Sequence, residues 1–252
     1  MSAAPSYELK IYRDADELAA KAALAVARAA AESIRHRGRF TLVLAGGSTP
    51  RRTYEILAAG EGENSIDWSR AYLFFGDERH VPHDDERSNF RMVHEALLTV
   101  APIASEQVLP VRTDLPSAAA CADDYAENVA KFFAQPTGTM PIFDMILLGL
   151  GDDGHTASLF PDAKALTVDN RIVTWSPPGV LPPLVDRITL TFPVLNAARQ
   201  VTFLVAGANK AEALADILSG NVDLEQRPAA RVRPETGRLS WLVDQAAAGL
   251  LD

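Results

Sequence analysis

Cysteine occurs once in the 252 residues, at Cys121, so no internal disulfide can hold the fold together. It sits in a helical Ala/Asp pattern, where a small apolar filler is expected rather than a nucleophile. No apolar run approaches the ~20 residues that span a bilayer, which argues against membrane insertion. The opening "MSAAPSYELKIYRD" lacks the basic and then apolar regions of a secretory leader, so a cytoplasmic location is expected. Clustered cations are missing too: 33 Asp and Glu outnumber 24 Lys and Arg, and the net charge of −9 argues against a nucleic-acid partner. An acidic chain still takes a small anion where a few cations meet, so individual arginines matter more than their total. The five histidines include no pair at the i, i+4 spacing of a zinc helix, and no metal is expected. The alternative is a meeting in space of Asp84, Asp85, Asp152 and Asp153 around a divalent ion. A Gly-x-Ser-x-Gly elbow is also absent, which argues against Ser158 as a hydrolytic nucleophile.

The sequence does contain a long alternation of strand and helix patterns. "YELKIY" reads as a strand, and Asp14 with Glu17 forms a capping box ahead of the Ala-rich helix "ELAAKAALAVARAAAESI". "RFTLVLAGG" is a continuous apolar run ended by glycine, the pattern of a strand buried on both faces of a parallel sheet. "STPRRTYEILAAG" reads as a helix capped by Ser48 or Thr49. Strands are expected at "RAYLFFG", "QVLPVR", "FDMILLGLG", "RIVTWS", "RITLTF" and "QVTFLVAG", with helices at "SNFRMVHEALLTV", "SAAACADDYAENVAKFFA" and "KAEALADILSG" and a closing segment at "LSWLVDQAAAGLL". This order predicts an α/β fold, a mainly parallel central sheet with helices on both faces, organised as one domain over residues 1–252.

In such sheets ligands bind beyond the carboxyl ends of the strands, and three predicted strands end in polar chemistry. After the first, Gly46, Gly47 and Ser48 form either a plain glycine turn into a helix or a phosphate cradle at the helix's positive end. After the second comes "GDERHVP", too polar for a core. There Arg79 suits a phosphate or carboxylate, and Asp77 suits either that arginine or a sugar hydroxyl. Ser88 and Asn89 follow, placed either to cap a helix or to bond a polyol. After the third, the glycines of "GLGDDGH" present Asp153 and His155 together. A neutral imidazole steadied by a carboxylate is a general base for water. "TASLFP" then reads as the start of a helix. Arg187, behind the proline-rich stretch 176–186 that is a candidate lid, and Lys210 in "AGANK" complete a candidate cationic pocket with Arg79.

Taken in order, "LAGGSTP", "FGDERHVP", "SNF", "LLGLGDDGHTASLFP", "RITLT", "AGANK", "PAARVRP" and "WLVD" resemble the 6-phosphogluconolactonase family over nearly the whole chain. The resemblance implies the fold shared with glucosamine-6-phosphate deaminases and ribose-5-phosphate isomerases, a Rossmann-like sheet with a possible small second sheet. It also implies hydrolysis of 6-phospho-D-glucono-1,5-lactone, with no cofactor and a small sugar phosphate as partner; apart from the resemblance, a monomer or weak homo-oligomer is expected. Carried over position by position, His155 is the base, Asp153 its support, and Gly46, Gly47, Ser48, Arg79, Arg187 and Lys210 the ligand set. Deaminases of that superfamily follow the histidine with an acid-bearing stretch, where this chain has "TASLFP". Asp152 departs from the pattern as a second acid, and to spare a phosphate from repulsion it is expected to face solvent.

Overall fold

The computed structural model describes residues 7–134, 136, 138–180 and 183–251. The leader expectation for residues 1–6, and two positions of the candidate lid (181 and 182), therefore lie outside the described residues. Strand β1 (Glu8–Tyr12) leads into helix α1 (Ala15–Arg37), where Asp14 Oδ1 accepts the Glu17 N–H at 2.8 Å. The Glu17 carboxylate reaches back to the Arg13 N–H at 2.9 Å, so the reciprocal box closes one residue before the cap.

All five residues of β2 (Phe40–Leu44) are buried, as its unbroken apolar run requires, and each large side chain contributes about 1.5–3 kcal/mol. Helix α2 (Ser48–Ala59) is capped by Gly47 rather than by Ser48 or Thr49. Gly47 turns the chain from strand to helix at φ 107°, a conformation that L side chains rarely adopt, so the helix begins one residue too early for either hydroxyl to cap it. β3 (Ala71–Phe75) is followed after one glycine by the short polar strand β4 (Asp77–Arg79). α3 (Asn89–Val93) runs on through a π-helical turn at His94–Leu98. Then come β5 (Val108–Leu109), α4 (Ala118–Phe133), β6 (Met145–Leu148), β7 (Val173–Ser176) and β8 (Arg187–Leu190). The chain continues through α5 (Phe192–Ala197), β9 (Gln200–Val205), α6 (Ala211–Ser219) and β10 (Arg238–Asp244).

Seven strands form one sheet in the order β1-β10-β9-β6-β2-β3-β5, and every pairing in it is parallel. The other three form an antiparallel sheet, β4-β8-β7. The fold class is therefore α/β, with the small second sheet. From β2 the chain winds outward through β3 to β5, then returns to β6 on β2's other side and winds the opposite way through β9 to β10. The reversal lies between β2 and β6, and the crevice at their carboxyl ends is where such a sheet receives a ligand.

"TASLFP" does not start a helix. Thr156 pairs with Leu159 in an isolated antiparallel bridge, and Ala157 has φ 49°. The polar groups of this stretch point sideways: Thr156 Oγ1 donates to the Gly149 carbonyl at 2.9 Å, and the Ser158 N–H donates to Thr189 Oγ1 at 3.2 Å. They tie the segment to both sheets instead of to its own next turn.

Candidate active site

A cleft of about 300 Å³ opens at the switch point. Ala45, Gly46 and Gly47 come to it from the end of β2, Gly76, Asp77 and Arg79 from β3 and β4, and Leu147–Asp152 from the end of β6. Asn89, His155, Ala157 and Lys210 complete the wall. Parallel strands point the same way, so residues distant in sequence share this one rim.

His155 is fixed by Asp153, whose Oδ1 receives the His155 backbone N–H at 3.1 Å and lies 2.5 Å from Nδ1. Burial pushes the Asp153 carboxyl up, but the hydrogen bonds and charge of His155 outweigh it and hold the group below the usual carboxylate range. An ionised carboxylate only accepts, so in the neutral ring it is Nδ1 that carries the proton and Nε2 that keeps the lone pair. Gly151 makes this possible. A Cβ there would sit 2.6 Å from Asp153 Oδ1 and closer still to His155 Nδ1.

The opposite wall is organised by Glu78, which is buried and accepts the N–H groups of Arg79 at 2.8 Å, Asn89 at 2.7 Å and Phe90 at 2.7 Å. Burial raises its carboxyl and the three N–H donors pull it back, with a net upward shift. Asn89 Nδ2 donates to the Asp77 carbonyl at 2.9 Å, and Ser158 Oγ donates to Asp77 Oδ2 at 2.6 Å. Ser158 is thus committed to Asp77. Arg79 gives Nη1 to the Arg87 carbonyl at 2.6 Å, while its buried Nε, like Asn89 Oδ1, has no partner among the described residues.

Of the residues expected from sequence, Gly46, Gly47, Asp77, Arg79, Asn89, His155 and Lys210 share the cleft. Asp153 stands behind His155. Ser88 takes the capping alternative, accepting the Arg91 N–H at 3.2 Å, and it lines a neighbouring depression together with Ser48. Arg187 does not line the cleft. It is 3% exposed and gives both terminal nitrogens to the carbonyls of Val185 at 2.8 Å and Pro183 at 2.6 Å. Burial lowers its guanidinium despite the nearby Asp77. Its register opposite Arg79 in the antiparallel pair β4–β8 explains the outcome, since two like charges that face each other are better turned apart.

Asp152 is exposed, as expected, yet it also lines the cleft, bound to Lys210 Nζ and accepting Asn209 Nδ2 at 2.9 Å. The second acid neutralises the lysine beside it, and the lysine in turn lowers its carboxyl. Sequence reading weighed only repulsion of a ligand and missed a partner lying 58 positions away. Three of the four aspartates weighed as a cation site are each paired with a different cationic or imidazole side chain: Asp85 holds Arg87, Asp152 holds Lys210 and Asp153 holds His155. Among the described residues, no group of three or more His, Cys, Asp or Glu side chains is arranged to hold a metal ion.

Fold and cleft place the molecule among the doubly wound α/β proteins that hold their ligand at a switch point. Within that class, the chain belongs to the family described as glucosamine-6-phosphate isomerases/6-phosphogluconolactonase, whose model matches residues 13–241. It is 43% identical over 216 residues to a 6-phosphogluconolactonase from Synechocystis sp., covering 86% of each chain. Against the 6-phosphogluconolactonase of Homo sapiens it is 41% identical over 247 residues, covering 96% of this chain and 93% of the relative. Among solved structures, the 6-phosphogluconolactonase from Trypanosoma cruzi superposes with a TM-score of 0.87 at 29% identity, covering 99% of this chain and 98% of the other.

Proposed function

We propose that the chain hydrolyses 6-phospho-D-glucono-1,5-lactone to 6-phospho-D-gluconate, the second step of the oxidative pentose phosphate pathway, with His155 as general base. The observation that carries the base assignment is the Asp153–His155 pair at 2.5 Å, whose imidazole lines a cleft also lined by Arg79 and Lys210. Water held by Nε2 attacks C1 of the lactone. The new O–C1 bond forms as the proton passes to Nε2 and the carbonyl electrons move onto oxygen. When the tetrahedral centre collapses, the bond from C1 to the ring oxygen breaks, and that oxygen takes the proton from the imidazolium. General-base help contributes ~10²–10⁴-fold and one oxyanion donor ~10²–10³-fold, enough for an ester-like lactone.

In this reading Arg79 and Lys210 meet the phosphate or the oxyanion. Gly46 and Gly47 bring backbone N–H groups to the ligand at the start of α2, with Ser48 beside them. Asp77 and Asn89 are left for the sugar hydroxyls. Arg187 and Ser88 act one step back, by holding the loop before β8 and the start of α3. The whole chain, 1–252, works as one domain in the cytoplasm, as a monomer or weak homo-oligomer. No helix among the described residues is long and apolar enough to cross a membrane. The test is proton release from freshly generated 6-phosphogluconolactone, wild type against His155→Ala. A large fall in the variant is expected, and equal rates would reject His155 as the base. Robust ammonia release from glucosamine 6-phosphate would reject the substrate.

A further inference from the structure

The turn that carries Asp153 and His155 is bound from behind by a segment no part of the reaction uses. Arg227 donates Nη1 to the Asp153 carbonyl at 3.2 Å, and the Ala229 N–H donates to the Gly154 carbonyl at 2.9 Å. The arginine stem lies directly over Gly154: a Cβ there would be 2.5 Å from Arg227 Cδ and 3.1 Å from Arg227 Cα. Gly154 also holds φ +82°. Arg227 is itself clamped by Asp216 on α6, with Nε at 2.9 Å and Nη2 at 2.8 Å from the same Oδ2. Further along, Gln226 Nε2 donates to Asp162 Oδ1 at 2.7 Å, so residues 226 to 229 are stitched along the loop that follows β6.

We infer that Arg227 is a positioning residue: held by Asp216, it fixes the Asp153 peptide so that the carboxylate stays aligned on His155 Nδ1. The inference rests on the reading of His155 as the base. The Asp152–Gly154 turn has two side-chain tethers: one joins Asp152 to Asn209 and Lys210 just before α6, and the other comes from Arg227, anchored on α6 through Asp216. An anionic ligand that draws Lys210 toward itself weakens the first tether as the substrate arrives. The second touches nothing in the cleft and keeps its grip through that event. Geometry is worth holding here, because a displacement of about 1 Å at a reacting group costs on the order of 10²-fold in rate.

The experiment compares wild type with Arg227→Leu, Arg227→Lys and Asp216→Ala. Arg227→Leu is expected to lower kcat about 10- to 100-fold with little change in KM, because the base moves while the ligand contacts stay. Arg227→Lys, which has no fork to span Asp216 and the carbonyl, recovers only part of the rate. Asp216→Ala moves the rate the same way while keeping the arginine, so the inference stays testable if the leucine variant fails to fold. A second readout needs no turnover: in the proton spectrum of the free protein, the far-downfield signal of the His155 Nδ1–H, bridged to Asp153, should shift or broaden in all three variants. Wild-type kcat and an unmoved imidazole signal in Arg227→Leu overturn the inference. If His155→Ala keeps its activity, the base assignment fails, and the imidazole signal alone still decides whether Arg227 aligns the pair.

Discussion

Two tyrosines set the rim of the cleft at single-residue scale. The Tyr54 hydroxyl accepts the Ala45 N–H at 2.8 Å and donates to the Ala45 carbonyl at 2.9 Å, where β2 gives way to the glycine loop. Tyr125 does the same for Phe75 at the end of β3, at 2.8 and 3.1 Å. Burial pushes both phenols up, so each keeps its proton and donates and accepts at once. Tyr54→Phe leaves two buried backbone groups on Ala45 unpaired and should destabilise the protein by about 1–3 kcal/mol, read as a lower urea midpoint at unchanged slope. Because Ala45 leads the glycine loop, KM should rise as well. Asp153 gives a pH signature at the same scale. Its folded-state carboxyl lies below the ordinary value, so as pH falls the unfolded chain binds that proton first. The stabilisation is therefore complete above an unfolded carboxylate value of about 3.9 and is lost as pH falls through the lowered folded value. Urea unfolding of wild type and Asp153→Asn should show a wild-type advantage at neutral pH that disappears in strong acid. An advantage independent of pH would mean that the carboxylate's charge is not the cause.

At the scale of elements, the turn after β6 depends on side chains missing at Gly151 and Gly154, and it is Gly151 that faces the imidazole. Gly151→Ala places a methyl group where His155 Nδ1 now lies, and its expected effect is loss of general-base help, about 10²–10⁴-fold in kcat. Calorimetry with the product 6-phosphogluconate should show nearly unchanged affinity, since the cations are untouched; parallel losses of both would point to a collapsed cleft. This turn was legible in the sequence because three glycines, two acids and a histidine after an apolar strand leave few alternatives. The long strands and helices were legible for a related reason: their burial is periodic or continuous. Three features were not. β4 is three polar residues long and exists only because β8 pairs with it. α5 was absorbed into the apolar end of "RITLTF", where Phe192 looks like one more strand residue but is the first of a six-residue helix. The helix expected at "TASLFP" was overridden by hydrogen bonds to Gly149 and Thr189, on other elements. The seven-strand order and the neutralising partner of Asp152 are tertiary facts that no local pattern encodes.

For the molecule as a whole, the net charge of −9 would repel a phosphorylated substrate at long range, so binding depends on what the cleft supplies locally. It supplies Arg79, whose Nε is unpartnered among the described residues, Lys210, paired with Asp152, and glycine N–H groups at the start of an α2 helix without a side-chain cap. Each charge-assisted hydrogen bond to a phosphate contributes about 1.5–3 kcal/mol, so two of them account for roughly 10²–10⁴-fold in kcat/KM. Remote binding of this kind also orients the reacting carbon, so a truncated substrate loses kcat as well as affinity. Unphosphorylated glucono-1,5-lactone should accordingly be hydrolysed with kcat/KM lower by that factor, and Lys210→Ala should narrow the gap between the two lactones by slowing only the phosphorylated one. Equal loss on both substrates would place Lys210 at the oxyanion instead, and no gap in the wild type would leave the cleft without a phosphate subsite.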